Sequence, residues 1–218
     1  MIRDVLYARQ LDILDPTRCE EEVHIIGAGA TGSFAALSLA KMGVTNITIY
    51  DKDTVEEHNF PNQLFPLSAL GKNKAKAVRT IVKGFTGAEI TAVPKFFKKQ
   101  PLRGIVISAL DTMDGRKLIY NQCKYNEKIS LLIDPRTGGE MFTLLTLNPC
   151  LEAEQMLYER TLVSSEQVVQ APCTARSIIY SVLVVSAYIC GQVKKYLMNE
   201  EFKRDICVDM RNNFSLFE

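Results

Sequence analysis

The stretch VHIIGAGATGS, residues 23–33, contains the pattern that decides the fold. Its apolar run predicts a buried strand, and the spacing G-x-G-x-x-G then leads into a helical pattern. The first glycine permits a tight turn, the second leaves the backbone bare for close approach, and the third lets the helix pack on the strand. Amides at the helix N-terminus then face an anion. We therefore predict that a nucleotide is held by Gly27, Gly29, Ala30, Thr31 and Gly32.

A carboxylate after the next predicted strand supports this interpretation. Asp51 follows Gly32 by 19 residues, where an acid can accept hydrogen bonds from ribose hydroxyls. These features alone indicate an adenine nucleotide or dinucleotide, with an NAD-dependent dehydrogenase as the default function. The alternative is a glycine turn that serves packing only.

Strand and helix patterns alternate through the first 135 residues, which predicts an α/β fold with a Rossmann-like, doubly wound, mostly parallel sheet. We expect strands at 22–27, 46–51, 88–94, 104–110 and 129–134, and helices at 30–42, 71–84 and 114–126. A strand at 139–147 should double back, followed by a crossover loop at 148–172 and a long helix from Pro172 to about Asn199. Antiparallel strands at 205–209 and 213–217 should extend the C-terminal part of the sheet.

The composition favours a single domain over residues 1–218, with residues 1–16 as an N-terminal arm. The 26 basic and 25 acidic side chains nearly cancel, which argues against nucleic acid or a membrane as the main partner.

Six cysteines without C-x-x-C spacing suggest neither a zinc site nor a disulfide framework, so we expect a cytoplasmic protein with free thiols.

Three polar features argue against the dehydrogenase. The long polar segment 51–65 carries Asn59 and Gln63, which could reach phosphates. Lys74 begins a helix, where an ammonium can balance a polyphosphate, although most lysines are simply solvated. Asp111 follows the fourth strand, where a carboxylate beside phosphates implies Mg²⁺. Helix capping is the alternative for Asp111 and is favoured for Asp114.

Several motifs in order make the chain resemble the ubiquitin-activating-enzyme-like adenylyltransferases of the ThiF/MoeB/HesA type. They are YARQ (7–10), GAGATG (27–32), D-x-D-x-V-x-x-x-N-x-x-x-Q (51–63), L-G-x-x-K (70–74), A-L-D-x-x-x-x-R (109–116) and the cysteine-headed helix that begins APCTARS (171–177). The resemblance implies that ATP and Mg²⁺ are bound by Asp51, Asp53, Asn59, Gln63, Lys74 and Asp111, with Asp51 on the ribose and Asp111 on the metal. It also implies a homodimer in which Arg9 reaches the partner's phosphates.

The resemblance implies activation of the C-terminal carboxylate of a ubiquitin-like or sulfur-carrier protein as an acyl-adenylate. A carboxylate nucleophile needs no general base, which agrees with the lack of a well-placed histidine. Alternatives are adenylation of a peptide or of a carboxyl on a tRNA nucleoside, and a non-catalytic scaffold subunit. Asn62 favours the scaffold, because the family usually has an arginine there; Arg136 could supply the missing cation.

Cys173 is the candidate nucleophile for a later thioester or sulfur-transfer step. It heads the long helix, and both the helix dipole and Arg176 should lower the pKa of its thiol. The alternative is an unreactive buried thiol. Cys150 is the second candidate, whereas Cys123, Cys190 and Cys207 lie in apolar segments typical of a core.

Overall fold

The computed structural model of the protein describes residues 2–162 and 177–218. The helices are α1 (Ile2–Tyr7), α2 (Ala30–Lys41), α3 (Lys74–Thr86), α4 (Met113–Cys123), α5 (Glu152–Arg160) and α6 (Ile179–Leu197). The strands are β1 (Val23–Ile26), β2 (Ile47–Tyr50), β3 (Thr91–Val93), β4 (Gly104–Ser108), β5 (Ile129–Gly138), β6 (Met141–Leu147), β7 (Asp205–Asp209) and β8 (Phe214–Phe217). All eight strands form one sheet in the order β3-β2-β1-β4-β5-β6-β7-β8.

The N-terminal half of the sheet is parallel and doubly wound, as the sequence predicts. β1 lies between β2 and β4 and runs parallel to both. Every residue of β1 and of β4 is buried, which explains why these strands are continuous apolar runs. The chain leaves β1 towards β2 on one side and later fills the other side with β4. This reversal of strand order places a binding crevice at the carboxyl ends of β1 and β4.

The C-terminal half is antiparallel, which confirms the predicted extension. β5 and β6 form a hairpin, and β7 and β8 add to its outer side. β5 continues four residues beyond the predicted end, because Pro135 to Gly138 pair with β6. β8 forms the edge of the sheet.

Helices cover both faces of the sheet. One core packs Ile25, Ile49 and Ile107 against α2, α3 and α6. The other packs Ile26 and Val106 against α4, α5 and the segment 94–103. Within the described ranges, no helix is both long enough and apolar enough to cross a bilayer.

Several element predictions were wrong at particular residues. The long helix predicted from Pro172 begins only at Ile179, with Ile178 in an extended conformation as its N-cap. The helix expected at 71–84 begins at Lys74, because the Asn73 side chain accepts a hydrogen bond from the Lys76 amide (3.1 Å) and caps it there. The predicted crossover loop contains α5. Tertiary contacts stabilise this helix, since Tyr158 is buried in the second core and Glu154 forms an ion pair with Arg204.

Candidate functional site

The glycine loop between β1 and α2 is a packed turn with one open position. A Cβ on Gly27, which has φ +104°, would lie 2.3 Å from the Ala109 oxygen, and one on Gly32 would lie 1.9 Å from the Gly27 oxygen. A Cβ on Gly29 would meet no atom within 4 Å. Gly29 is also the N-cap of α2 and offers no capping side chain. The amides of Ala30 and Thr31, at the start of α2, have no hydrogen-bond partner among the described residues, and such amides can bind a phosphate.

Asp51 is fixed beside this loop by backbone amides. Its carboxylate accepts hydrogen bonds from the amides of Ala28 (2.7 Å) and Asp53 (2.8 Å). Burial raises the pKa of Asp51, and these amides together with the Lys74 ammonium oppose the rise. Two amides leave further lone pairs on the carboxylate, so Asp51 can also accept from ribose hydroxyls.

Asn73 joins the start of α3 to the end of β2. Its side-chain amide donates to the carbonyls of Asp51 (2.9 Å) and Asp53 (3.1 Å), and the Lys74 amide donates to the Asp53 carbonyl (2.8 Å). Lys74 is thereby placed close enough to Asp51 to affect its pKa. Asn73 is not among the site residues predicted from the sequence. An asparagine immediately before a helical pattern is the N-cap signal that could have identified it.

The polar segment after β2 is tightly bonded internally. Asn59 is 2% exposed, and its Oδ1 accepts from the Glu56 amide (2.9 Å). The Gln63 amide donates to the Asn59 carbonyl (2.9 Å), while the buried Gln63 Oε1 has no partner among the described residues. Asn62 donates from its side-chain amide to the Ser177 carbonyl (3.0 Å).

The turn between β4 and α4 presents Asp111 to solvent. Arg116 holds this turn from beneath, because its buried guanidinium donates to the carbonyls of Ser108 (3.3 Å), Leu110 and Pro135 (2.9 Å). Neither Asp111 nor Asp114 caps α4, which corrects the capping alternative. Thr112 is the N-cap, and its hydroxyl accepts from the Gly115 amide (3.3 Å).

Arg136 is occupied elsewhere, contrary to the expectation that it could replace a missing cation. Its Nε donates to Asp134 (2.8 Å), and its terminal nitrogens donate to the carbonyl (3.0 Å) and hydroxyl (2.9 Å) of Thr161. Asp134 is fully buried and also accepts from Arg116 and from the Tyr158 hydroxyl (3.0 Å). A buried ion pair fixes Arg136 in the wall behind the site.

Arg9 is exposed and lies far from the glycine loop of its own chain. The neighbouring Gln10 donates to the Met42 carbonyl (2.8 Å), just past the C-terminal end of α2. The glycine loop is at the other end of this 12-residue helix, about 18 Å away. The arm is therefore attached to the opposite end of α2 from the candidate phosphate site.

The cysteines differ in accessibility. Burial raises the pKa of Cys19 to about 11 and the pKa values of Cys123 and Cys190 to about 12, so these thiols stay protonated. Cys150 is half-buried at the start of the crossover, and its amide donates to the Asn148 side chain (2.9 Å). Cys173 lies outside the described residues.

Two curated proteins of Bacillus subtilis (strain 168) are similar in sequence to this chain. A curated relative from Bacillus subtilis (strain 168), "Sulfur carrier protein ThiS adenylyltransferase", is 27% identical over 215 residues, covering 91% of this chain and 59% of that protein. Another from the same organism, "tRNA threonylcarbamoyladenosine dehydratase", is 30% identical over 110 residues, covering 46% of this chain and 43% of that protein. The chain thus spans about three fifths of the first relative and less than half of the second.

Solved structures match the fold. A crystal structure of Escherichia coli MccB superposes with a TM-score of 0.79 at 15% identity, covering 98% of this chain and 71% of that one. The model of the ThiF family matches residues 14–216. Because this match spans nearly the whole chain, including the glycine loop, Asp51, Lys74 and Asp111, the chain belongs to the ThiF family.

Proposed function

We propose that the protein is an ATP-dependent adenylyltransferase that activates the C-terminal carboxylate of a ubiquitin-like or sulfur-carrier protein. The observation that carries the proposal is the convergence of three features at one crevice. These are the uncapped N-terminus of α2 at the open Gly29 position, the Asp51 carboxylate fixed by two amides, and the Lys74 ammonium beside it. Family membership and the similarity to a ThiS adenylyltransferase support it.

ATP would extend along this crevice from ribose to phosphates. Asp51, with Asp53 next to it, would accept from the ribose hydroxyls, and the amides of Ala30 and Thr31 would donate to the phosphates. Lys74 would neutralise phosphate charge, while Asn59 and Gln63 would border the phosphates from the segment after β2. The buried Gln63 Oε1, which has no partner among the described residues, is an acceptor that a hydroxyl or amino group of a ligand could satisfy.

Asp111 fits the role of a Mg²⁺ ligand. Magnesium in nucleotide sites is bound by one or two carboxylates together with substrate phosphates, and Asp111 is an exposed carboxylate at the carboxyl end of β4. Bound Mg²⁺ would supply positive charge to the phosphates. Arg116 holds the turn that carries Asp111, because its guanidinium donates to the carbonyls of Ser108 and Leu110.

The reaction follows from these charges. A carboxylate oxygen of the carrier protein forms a bond to the α-phosphorus of ATP, the bond from that phosphorus to the β-phosphate oxygen breaks, and pyrophosphate leaves. The product is an acyl-adenylate. The nucleophile is already an anion, so the protein supplies orientation and electrostatic stabilisation and needs no general base. Lys74 and the α2 amides are the groups that stabilise the charge.

We further propose a homodimer in which Arg9 completes the partner's site. Attachment of the arm at the far end of α2 keeps Arg9 away from its own chain's crevice. α6 packs one face on α2, whereas Tyr180 and Leu183 of this helix and its N-cap Ile178 are exposed apolar residues. Exposed apolar side chains of this kind are typical of an interface between subunits. The dimer would act in the cytoplasm, as one adenylation domain per chain.

Cys173 would act after adenylation. Its thiolate would attack the acyl-adenylate, forming a thioester and releasing AMP. The resemblance of the sequence around Cys173 to the family's cysteine motif motivates this step; α6 itself begins six residues further along the chain, at Ile179.

A tRNA nucleoside carboxyl is the second candidate acceptor. The similarity to tRNA threonylcarbamoyladenosine dehydratase over 110 residues favours it. The adenylation chemistry would be the same, and only the surface that recognises the acceptor would differ.

ATP–pyrophosphate exchange tests the proposal. Purified protein would be assayed with carrier proteins that end in Gly-Gly and, separately, with tRNA bearing a nucleoside carboxyl. We expect exchange with a carrier protein that is lost in Asp111→Ala and retained in Cys173→Ala. Exchange with tRNA alone would favour the second candidate. Binding of ATP without exchange on any acceptor would favour a non-catalytic scaffold subunit.

A further inference from the structure

The outer face of α3 carries a groove with a volume of about 330 Å³. Its floor is aliphatic, formed by Pro66, Ala69 and Ile81, and Lys72 and Lys76 stand on its wall. Two leucines of the preceding segment are solvent-exposed beside it, Leu67 at 77% and Leu70 at 50%. We refer to this groove as the α3 groove. An apolar floor with exposed apolar side chains and a charged rim is the anatomy of a protein-binding surface.

The α3 groove lies in the most unbalanced charge region of the sequence. Residues 58–88 contain five lysines and arginines and no aspartate or glutamate, whereas the whole chain has a net charge of only +1. Lys83 pairs with Glu89, and Lys74 faces Asp51. Among the described residues, no carboxylate lies within ion-pair distance of the remaining three cations, Lys72, Lys76 and Arg79.

We propose that the α3 groove binds an acidic, amphipathic segment of a partner protein. Carboxylates of the segment would pair with Lys72 and Lys76, and its apolar side chains would occupy the aliphatic floor. A protein segment fits better than single-stranded nucleic acid, because none of the side chains that line the groove is aromatic and so none offers a face for base stacking. This inference does not depend on the reaction proposed above.

The α3 groove adjoins the candidate nucleotide crevice through one residue. Asn73 lines the groove, and its side-chain amide holds the carbonyls of Asp51 and Asp53. A bound segment would therefore lie against the wall that positions Asp51. The groove is well placed to bring a partner protein to the edge of the nucleotide site.

Fluorescence anisotropy with a labelled synthetic peptide tests the proposal on the full chain. The probe is an amphipathic peptide of about 14 residues that contains Glu, Asp, Leu and Phe. The comparison probes are the same peptide with each Glu replaced by Lys, and a single-stranded RNA. Lys76→Glu reverses one rim charge. Thr80→Trp, at an exposed groove residue, fills the groove without changing charge. Lys99→Glu makes the same charge change on an exposed lysine outside the groove and serves as the matched control.

We expect the acidic peptide to bind wild type and to weaken about tenfold in Lys76→Glu and in Thr80→Trp, with less than about twofold change in Lys99→Glu. Thermal unfolding would verify that the variants fold. The proposal is overturned by the absence of peptide binding, by equal weakening in Lys99→Glu, or by tighter binding of the RNA. A second copy of this chain is the other possible occupant of the α3 groove. Sedimentation of wild type and of Thr80→Trp tests this, because self-association that is lost only in Thr80→Trp would also overturn the proposal.

Discussion

Gly29 and Gly32 lie three residues apart in one turn, yet their surroundings predict opposite consequences for the same substitution. In Gly32→Ala the new methyl would overlap the Gly27 oxygen, so we expect a loss of about 3 kcal/mol in the free energy of unfolding. In Gly29→Ala the methyl enters open space, so stability should change by less than about 1 kcal/mol. That space is where we expect a phosphate, so Gly29→Ala should abolish protection by ATP in thermal unfolding. Retained protection in Gly29→Ala would contradict the assignment of the phosphate position.

His24 provides a residue-level prediction about pH. It lies buried in β1, 3.0 Å from the Tyr50 hydroxyl and 3.4 Å from Glu22, which also pairs with Arg103 (2.7 Å). Burial lowers the pKa of His24, and the nearby Glu22 opposes this. The folded state therefore binds fewer protons at this site than the unfolded chain. Its contribution to stability is complete above about pH 6.5 and decreases as the pH falls through the folded pKa.

Replacement of His24 should therefore flatten the pH dependence of stability. Urea unfolding between about pH 5 and 7.5 should show a smaller decrease at low pH for His24→Gln than for wild type. His58→Gln, at the exposed second histidine, is the matched control and should follow wild type. If His24→Gln and wild type lose stability in parallel, the imidazole does not titrate as its burial indicates.

Individual side chains separate what the sequence could predict from what it could not. The glycine spacing and Asp51 were predictable because their positions follow from one strand, one turn and the next strand. Thr112 as the cap of α4 and the bonding of Arg136 to Thr161 were not. Asp111, Thr112 and Asp114 are all chemically suitable caps within four residues, and the local sequence does not decide among them. The bond from Arg136 to Thr161 depends on how β5 packs against the end of α5.

At the scale of elements, strongly patterned segments were predictable and weakly patterned ones were not. The buried parallel strands and the β5–β6 hairpin follow from apolar runs and a glycine turn. α5 has no side-chain N-cap and a mixed polar sequence. Its stability comes from contacts with distant residues, such as the Tyr158 hydroxyl on Asp134, and local sequence does not encode those.

The start of α3 allows helix capping to be separated from nucleotide positioning. Asn73→Ala removes the cap and should lower the free energy of unfolding by about 1 kcal/mol. Asn73→Asp keeps a capping oxygen but loses the amide that donates to the Asp51 and Asp53 carbonyls. We therefore expect Asn73→Asp to retain more stability than Asn73→Ala while its affinity for ATP, measured by calorimetry, falls about tenfold. Wild-type ATP affinity in Asn73→Asp would show that the amide does not position the site.

At the scale of the whole molecule, the separation of Arg9 from its own crevice makes the proposed dimer testable by complementation. Arg9→Ala and Asp111→Ala homodimers should each be inactive in ATP–pyrophosphate exchange. After subunits are mixed and exchanged, half the dimers should be mixed, and each would contain one site with both Asp111 and the partner's Arg9. Activity should therefore return to about a quarter of wild type. A double variant, Arg9→Ala with Asp111→Ala, mixed with Asp111→Ala is the control and should stay inactive. If the first mixture also stays inactive although mass spectrometry detects mixed dimers, Arg9 does not act across the interface.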